Sequence, residues 1–282
     1  MAQAILEANE ISKQYAQRAG LLRRSIDTIR AVNRVSITLK AGDTLGIVGE
    51  SGCGKTTLAK LLVGLLIPSR GAVLIQGRAW TALRGTERLA ARGLVQLVFQ
   101  DPTMSLNPRL SIGQTLTEPF LIHRLASPPQ WPVRVQELLA AVQLPPSYAA
   151  RLPRQLSGGE RQRVGIARAL ATAPAVLICD EPIASLDVSV GARIVALLRR
   201  LCHRRRMALV FISHDLRAVA SLCERIAVMQ AGEVLETAPT AELLSHPRHP
   251  YTDLLIRSAQ LDLDFPSGDP SLPSLDRGEE GR

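Results

Sequence analysis

Residues 49–57, Gly-Glu-Ser-Gly-Cys-Gly-Lys-Thr-Thr, constrain this chain more than any other stretch. They match G-x-x-x-x-G-K-[ST], a loop that wraps phosphate. Gly49, Gly52 and Gly54 let the backbone curl until several N–H groups point into one concavity. Glu50, Ser51, Cys53 and Thr57 line it with the glycines. The flanks fit the motif. Residues 44–48 are an apolar run that reads as a buried strand. Residues 58–66 read as a helix with Leu58, Leu61, Leu62 and Leu65 on one face. The start of that helix adds a positive dipole end. Lys55 is in reach of the β- and γ-phosphates of a nucleotide, and the Thr56 hydroxyl can ligate Mg2+. A plain glycine-rich turn before a core helix needs neither Lys55 nor Thr56.

The rest of the composition is consistent with a globular α/β chain. It has 282 residues, 46% of them apolar, enough for one large domain or two modest ones. The formal net charge of +9 suits nucleic acid, an anionic membrane surface, or neither. The basic residues are scattered except at Arg199-Arg200 and His203-Arg204-Arg205-Arg206, which read as a solvated helix C-terminus. Cys53, Cys179, Cys202 and Cys223 form no C-x-x-C pair, which argues against a metal site or a disulfide framework. No signal peptide is recognisable, and no apolar run approaches the ~20 residues that cross a bilayer. The expectation is a soluble, cytosolic chain.

Taken in order, residues 4–11 and 31–39 alternate as two strands, with a polar, basic excursion over 17–30 between them. Tyr15 has two readings, a ring that stacks on a base or an ordinary edge-strand aromatic. Strands follow at 72–76 and 94–99, the second ending on Gln100. Beyond Asp101-Pro102 and Asn107-Pro108 the texture turns helical, at 111–125 and 133–142, as a helical insertion would. Ser157-Gly158-Gly159-Glu160 then opens another helix, either as a second anion-binding end or as a simple Ser157 N-cap. Residues 175–179 are a fully apolar strand tipped by Asp180-Glu181. In a P-loop protein a carboxylate at this tip holds Mg2+, and the next is placed to polarise water. Asp187 follows on a turn. Residues 207–212 make one more buried strand, with His214 just past its end, where open α/β sheets bind ligands. Residues 226–230 and 233–237 form a hairpin. The tail from about 258 is rich in Pro, Gly, Asp and Ser, and partial disorder is expected there.

These residues, in this order, resemble the nucleotide-binding subunit of an ATP-binding cassette (ABC) transporter. Residues 49–56 match its Walker A loop, Gln100 its Q-loop and residues 156–160 its LSGGE signature. Residues 176–180 match Walker B, Glu181 the catalytic glutamate, Asp187 the D-loop and His214 the switch histidine. The match covers about residues 4–257. It implies a P-loop NTPase core of the RecA-like type, with an N-terminal antiparallel β subdomain and a helical subdomain inserted at about 101–160. It also makes Tyr15 an adenine stacker. The cofactors implied are ATP and Mg2+, the metal held by Thr56, Asp180 and Gln100.

Residues 100–109 and His249-Pro250-Tyr251-Thr252 are similar to ATPase subunits of dipeptide, oligopeptide and nickel importers. Many relatives there carry a cysteine-containing extension; with no cysteine after Cys223, none is expected here. Ile183 and Ala184 stand where relatives often have Thr and Ser, at positions that would not touch phosphate. The resemblance implies hydrolysis at a dimer interface, with Ser157, Gly158, Gly159 and Glu160 offered to the partner's nucleotide. Its implied partners are a second ATPase subunit, two transmembrane permease subunits and, indirectly, a periplasmic or lipoprotein solute-binding protein, with no nucleic acid. Its implied place is the cytoplasmic face of the bacterial inner membrane. Peptide uptake is the first reading and a nickel or metal-chelate importer the second. A non-transport cassette is more distant, since such proteins usually carry two fused cassettes or a long coiled coil. Intact Glu181, His214 and LSGGE argue against a cassette that only regulates.

Overall fold

Alternating apolar residues build the first sheet, and a continuous apolar run builds the second. The structure is a computed structural model describing residues 3–18, 26–101 and 106–261. Strands β1 (Leu6–Arg18) and β2 (Ile26–Leu39) pair antiparallel, Leu6 opposite Leu39. The chain enters the second sheet as β3 (Thr44–Val48) and turns through residues 49–54 into α1 (Lys55–Leu62). It returns to the first sheet as β4 (Arg70–Ile75) and β5 (Arg78–Ala79). Helix α2 (Gly85–Leu94) leads to β6 (Val95–Val98). Helices α3 (Ile112–His123) and α4 (Trp131–Ala141) form the helical insertion, and α5 (Gly158–Leu170) leads back to β7 (Val176–Asp180). Then come α6 (Val188–Arg205), β8 (Ala208–Ile212), α7 (Leu216–Leu222) and the hairpin β9 (Arg225–Gln230) and β10 (Glu233–Pro239). Helices α8 (Thr240–Ser245) and α9 (Pro250–Leu261) follow.

The first sheet has the order β2-β1-β4-β5 and is antiparallel; the second has the order β10-β9-β3-β8-β7-β6. In the second, β9, β3, β8, β7 and β6 are parallel and β10 alone is antiparallel. Strands β7 and β8 are buried at every position, as parallel strands covered on both faces must be. Their side chains alternate between two cores. Ile178, Val210 and Ile212 join α1 and the first sheet, packing with Leu58, Leu61, Leu6 and Ile11. Leu177, Cys179, Leu209 and Phe211 join the other face, with Ile194 and Leu198 of α6 and Leu116 and Leu139 of the insertion. The insertion is therefore continuous with the core behind the sheet. The parallel arrangement also puts the C-terminal ends of β3, β7 and β8 on one edge, which positions the site.

Four elements differ most from the sequence expectation. Strands β1 and β2 run on into the supposed excursion, Arg18 pairing with Ile26. Gln14, Tyr15 and residues 28–30 are exposed, so this outer hairpin has no apolar alternation to read. Residues 19–25 lie outside the described residues. Helix α1 begins at Lys55 and ends at Leu62, not 66. Leu58, Leu61 and Leu62 are fully buried, but Leu65 is 54% exposed. Gly64 explains the stop: it turns left-handed (φ +69°), and a Cβ there would lie 2.7 Å from the Trp80 ring. Helix α9 carries regular structure to Leu261, into the segment read as tail. The tail from 262 and positions 102–105 of the importer-like segment fall outside the described residues.

The basic cluster sits where its charge suggests. His203, Arg204 and Arg205 form the last turn of α6, and Arg206 caps it in a left-handed conformation (φ +48°). The four cysteines are free and buried. Among the described residues no helix is long and apolar enough to cross a membrane.

Candidate active site

The loop at 49–54 is walled by strands that are distant in sequence. Gly54 is left-handed (φ +110°), and a Cβ there would lie 2.0 Å from the Ala31 carbonyl oxygen of β2. A Cβ on Gly49 would lie 2.0 Å from the Met229 carbonyl oxygen of β9. The turn of the β9–β10 hairpin completes the wall. The Gly232 amide donates to the Cys53 carbonyl at 2.9 Å, and the Asn33 amide donates to the Gly232 carbonyl at 2.8 Å. Met229 and Gly232 were not among the residues picked from sequence. Their A-G turn announces a hairpin, but only the pairing of β9 with β3 brings it against the loop.

The N-terminus of α1 is open. Its N-cap Gly54 supplies no side-chain hydrogen bond, whereas Ser111 of α3, Ser157 of α5 and Asp215 of α7 each cap their own helix. Helix N-termini carry unsatisfied N–H groups, so the start of α1 leaves its dipole end open to a ligand. Lys55 spans the loop mouth. It is 4% exposed, and its Nζ donates to the carbonyls of Gly49 (2.8 Å) and Glu50 (2.9 Å). It also lies 3.8 Å from Glu181 Oε1.

Glu181 joins the loop to the end of β8. Its other oxygen, Oε2, lies 2.9 Å from His214 Nδ1. Its backbone is left-handed (φ +47°), and its amide donates to the Ile212 carbonyl at 2.9 Å. A non-glycine residue in that region costs about 1–2 kcal/mol, and such strain concentrates at functional sites. Lys55, Glu181 and His214, picked independently from sequence, thus form one contiguous array.

Asp180, one residue earlier, is buried, and its Oδ1 finds no hydrogen-bond partner among the described residues. Burial raises its carboxyl above the ordinary value, and the Thr56 hydroxyl opposes the rise. An orphaned buried carboxylate oxygen beside a hydroxyl is a hard-oxygen donor set that fits Mg2+. Gln100 is exposed, two positions beyond β6. Tyr15 is 41% exposed and pairs with Ile29, two residues from Ala31 at the loop wall. The Lys13 ammonium lies 5.7 Å from its ring centroid.

The segment at 157–160 lies at the start of α5, apart from this array. Ser157 and Glu160 form a reciprocal capping box: Ser157 Oγ accepts the Glu160 amide (3.3 Å) and Glu160 Oε2 accepts the Ser157 amide (2.7 Å). Gly159 allows close packing on α6, since a Cβ there would lie 2.4 Å from Val190 Cγ1. Asp187 is the exposed N-cap of α6 and makes no side-chain cap bond.

Tyr148 was not anticipated: its hydroxyl donates to Glu160 Oε1 at 2.6 Å, and Arg151 stacks on its ring at 3.9 Å. The Tyr148 hydroxyl, then the Ser157 amide, hold the Glu160 carboxyl below its ordinary value. A depressed carboxylate stabilises the fold above its unfolded pKa, and that contribution is lost as pH falls through the folded one. Tyr148→Phe should therefore melt below wild type at pH 7, with the gap closing below about pH 4 as carboxylates protonate. Thermal melts across that range check it; a gap independent of pH would count against the Glu160 contact.

The profile of the family described as ABC transporter matches residues 32–184. The chain belongs to this family. It is 44% identical over 281 residues to a "probable peptide ABC transporter ATP-binding protein" of Sinorhizobium fredii, covering 100% of this chain and 78% of that protein. It is 42% identical over 257 residues to an oligopeptide transport ATP-binding protein of Bacillus subtilis, covering 91% and 78%. Among solved structures, a dimeric ATP-binding cassette in a post-hydrolysis state with ADP and Pi superposes with a TM-score of 0.73 and 29% identity. That superposition covers 83% of this chain and 98% of the other. The cassette is thus an ATPase subunit of an ABC importer, built on the mixed α/β P-loop NTPase fold described above.

Proposed function

We propose that this cassette hydrolyses ATP to drive uptake of di- or oligopeptides. Support for the substrate class comes from relatives at 44% and 42% identity named for peptide and oligopeptide transport. Support for the chemistry comes from the Lys55–Glu181–His214 array beside an uncapped helix start.

In this reading the loop amides and Lys55 neutralise charge on the transferring phosphoryl group, the main task in this chemistry. Lys55 exchanges the Gly49 and Glu50 carbonyls for phosphate oxygens. Glu181 takes the proton of the attacking water. His214 holds the second Glu181 oxygen, fixing the carboxylate and sensing the γ-phosphate. Tyr15 stacks on adenine. Thr56, Asp180 and Gln100 hold Mg2+, which neutralises phosphate charge when bound. Ser157, Gly158, Gly159 and Glu160 close over the nucleotide of a second cassette, with Asp187 at the same interface. The cassette proper is residues 1–257, and the insertion at about 101–160 contacts the membrane subunits.

The assembly we infer pairs this chain with a second, similar cassette under two permease subunits on the cytoplasmic face, fed by a solute-binding protein. The basic balance is compatible with anionic headgroups nearby. The test is to express the chain alone and with the products of neighbouring genes, then measure Mg-ATP turnover, mass in solution and peptide uptake. The expected result is weak turnover alone and a gain with a second cassette. Full cooperative activity from the isolated chain would favour a homodimer and sink the pairing.

A further inference from the structure

We propose that Tyr251 is a positioning residue of the nucleotide loop, with α9 as the strut that holds it there. Tyr251 lies 201 positions after Glu50, yet its hydroxyl accepts the Glu50 amide at 3.2 Å. Tyr251 is 8% exposed, so the contact is covered on the tyrosine side and open only at Glu50. The first turn of α9 is itself fixed. The Glu236 carboxylate on β10 accepts the amides of Arg248 (3.0 Å) and His249 (3.1 Å), and His249 Nδ1 accepts the Tyr251 amide at 3.1 Å. The chain of contacts thus runs from β10 through the start of α9 to the first turn of the loop.

Two consequences follow for Glu50. Its amide is turned to Tyr251, while its carbonyl accepts Lys55. Both peptide groups flanking that residue are held before any nucleotide arrives. A loop pre-set in one conformation loses less entropy on binding than one that must be ordered. Tyr251 therefore acts on nucleotide affinity through Glu50 and needs no contact with phosphate.

The proposal rests on the nucleotide reading above, so its test has one readout that needs no nucleotide. Tyr251→Phe keeps the ring and removes the acceptor. In the nucleotide-free full chain, amide exchange over residues 45–55 should quicken by about 2–10-fold, the size of one net hydrogen bond. Affinity for labelled ATP should weaken by a similar factor, while melting temperature and turnover at saturating ATP stay near wild type. A tyrosine that only docks α9 would lower the melting temperature and leave loop exchange and ATP affinity unchanged, and that result overturns the proposal. Should Tyr251→Phe not fold, Glu236→Gln loosens the anchor with Tyr251 intact; unchanged loop exchange there also overturns it. Wild-type chain that binds no ATP refutes the nucleotide reading instead, and the exchange result still stands on its own.

Discussion

Glu181→Gln is expected to keep ATP bound and to slow hydrolysis by about 10²–10⁴-fold, the usual worth of general-base catalysis. Glutamine has the same shape, so it can keep the left-handed backbone and the place between Lys55 and His214. What it loses is basicity. It also removes the anion 3.8 Å from Lys55 Nζ. The ammonium is then less restrained and freer to turn to phosphate, so ATP affinity should stay level or rise. Slow hydrolysis with tight binding should trap the ATP-bound pair with the second cassette, visible in light scattering as the summed mass of the two chains. Multiple- and single-turnover rates should fall together, because the chemical step itself is hit. A variant turning over near the wild-type rate would show that another group takes the proton.

The array around Glu181 was legible in sequence because each member sits at a locally coded place. A β-branched or apolar run followed by a glycine-rich turn marks residues 44–54 as strand and loop, and Lys55 follows from the motif. Asp180-Glu181 and His214 each stand at the C-terminal tip of an apolar run. In a parallel sheet all such tips share one edge, so separate local readings converge on one site. The capping box at Ser157 and Glu160 was likewise open to reading, as S-x-x-E at a helix start.

What sequence did not reveal depends on which strands become neighbours. Gly232 meets Cys53 only because β9 lies beside β3. Tyr251 meets Glu50 only because α9 folds back over that same edge. His249-Pro250-Tyr251-Thr252 stood out as a family resemblance, with no partner that spacing could name. The end of α1 was misplaced for a different reason. Leu65 continues the helical apolar spacing, but Gly64 packs so tightly on Trp80 that the chain must turn there. Packing overrides periodicity at that point. The outer part of the β1–β2 hairpin is exposed, so its pairing rests on backbone hydrogen bonds, which leave no pattern in side-chain polarity.

Lys55→Ala is expected to damage binding as well as turnover, which separates it from Glu181→Gln. The ammonium is nearly buried, and its present partners are two loop carbonyls, the Cys53 sulfur and one carboxylate. Phosphate oxygens offer it the same contacts with more negative charge, so part of its interaction is made in the bound ground state. A hydrogen bond to a charged group contributes about 1.5–3 kcal/mol, which corresponds to about 10–100-fold in ATP affinity. Turnover should fall further. Charge shifts on the phosphoryl oxygens as the transition state forms, and removing one pre-set donor at such a site costs about 10²–10³-fold in rate. Alanine also leaves the Gly49 and Glu50 carbonyls without their donor and Glu181 without its cation. The loop should loosen, and amide exchange over 49–54 should rise even without nucleotide. Direct binding of labelled ATP, measured beside single-turnover hydrolysis, checks the division. Unchanged affinity with lost turnover would mean that Lys55 meets phosphate only in the transition state, and the ground-state cradle drawn here would be wrong.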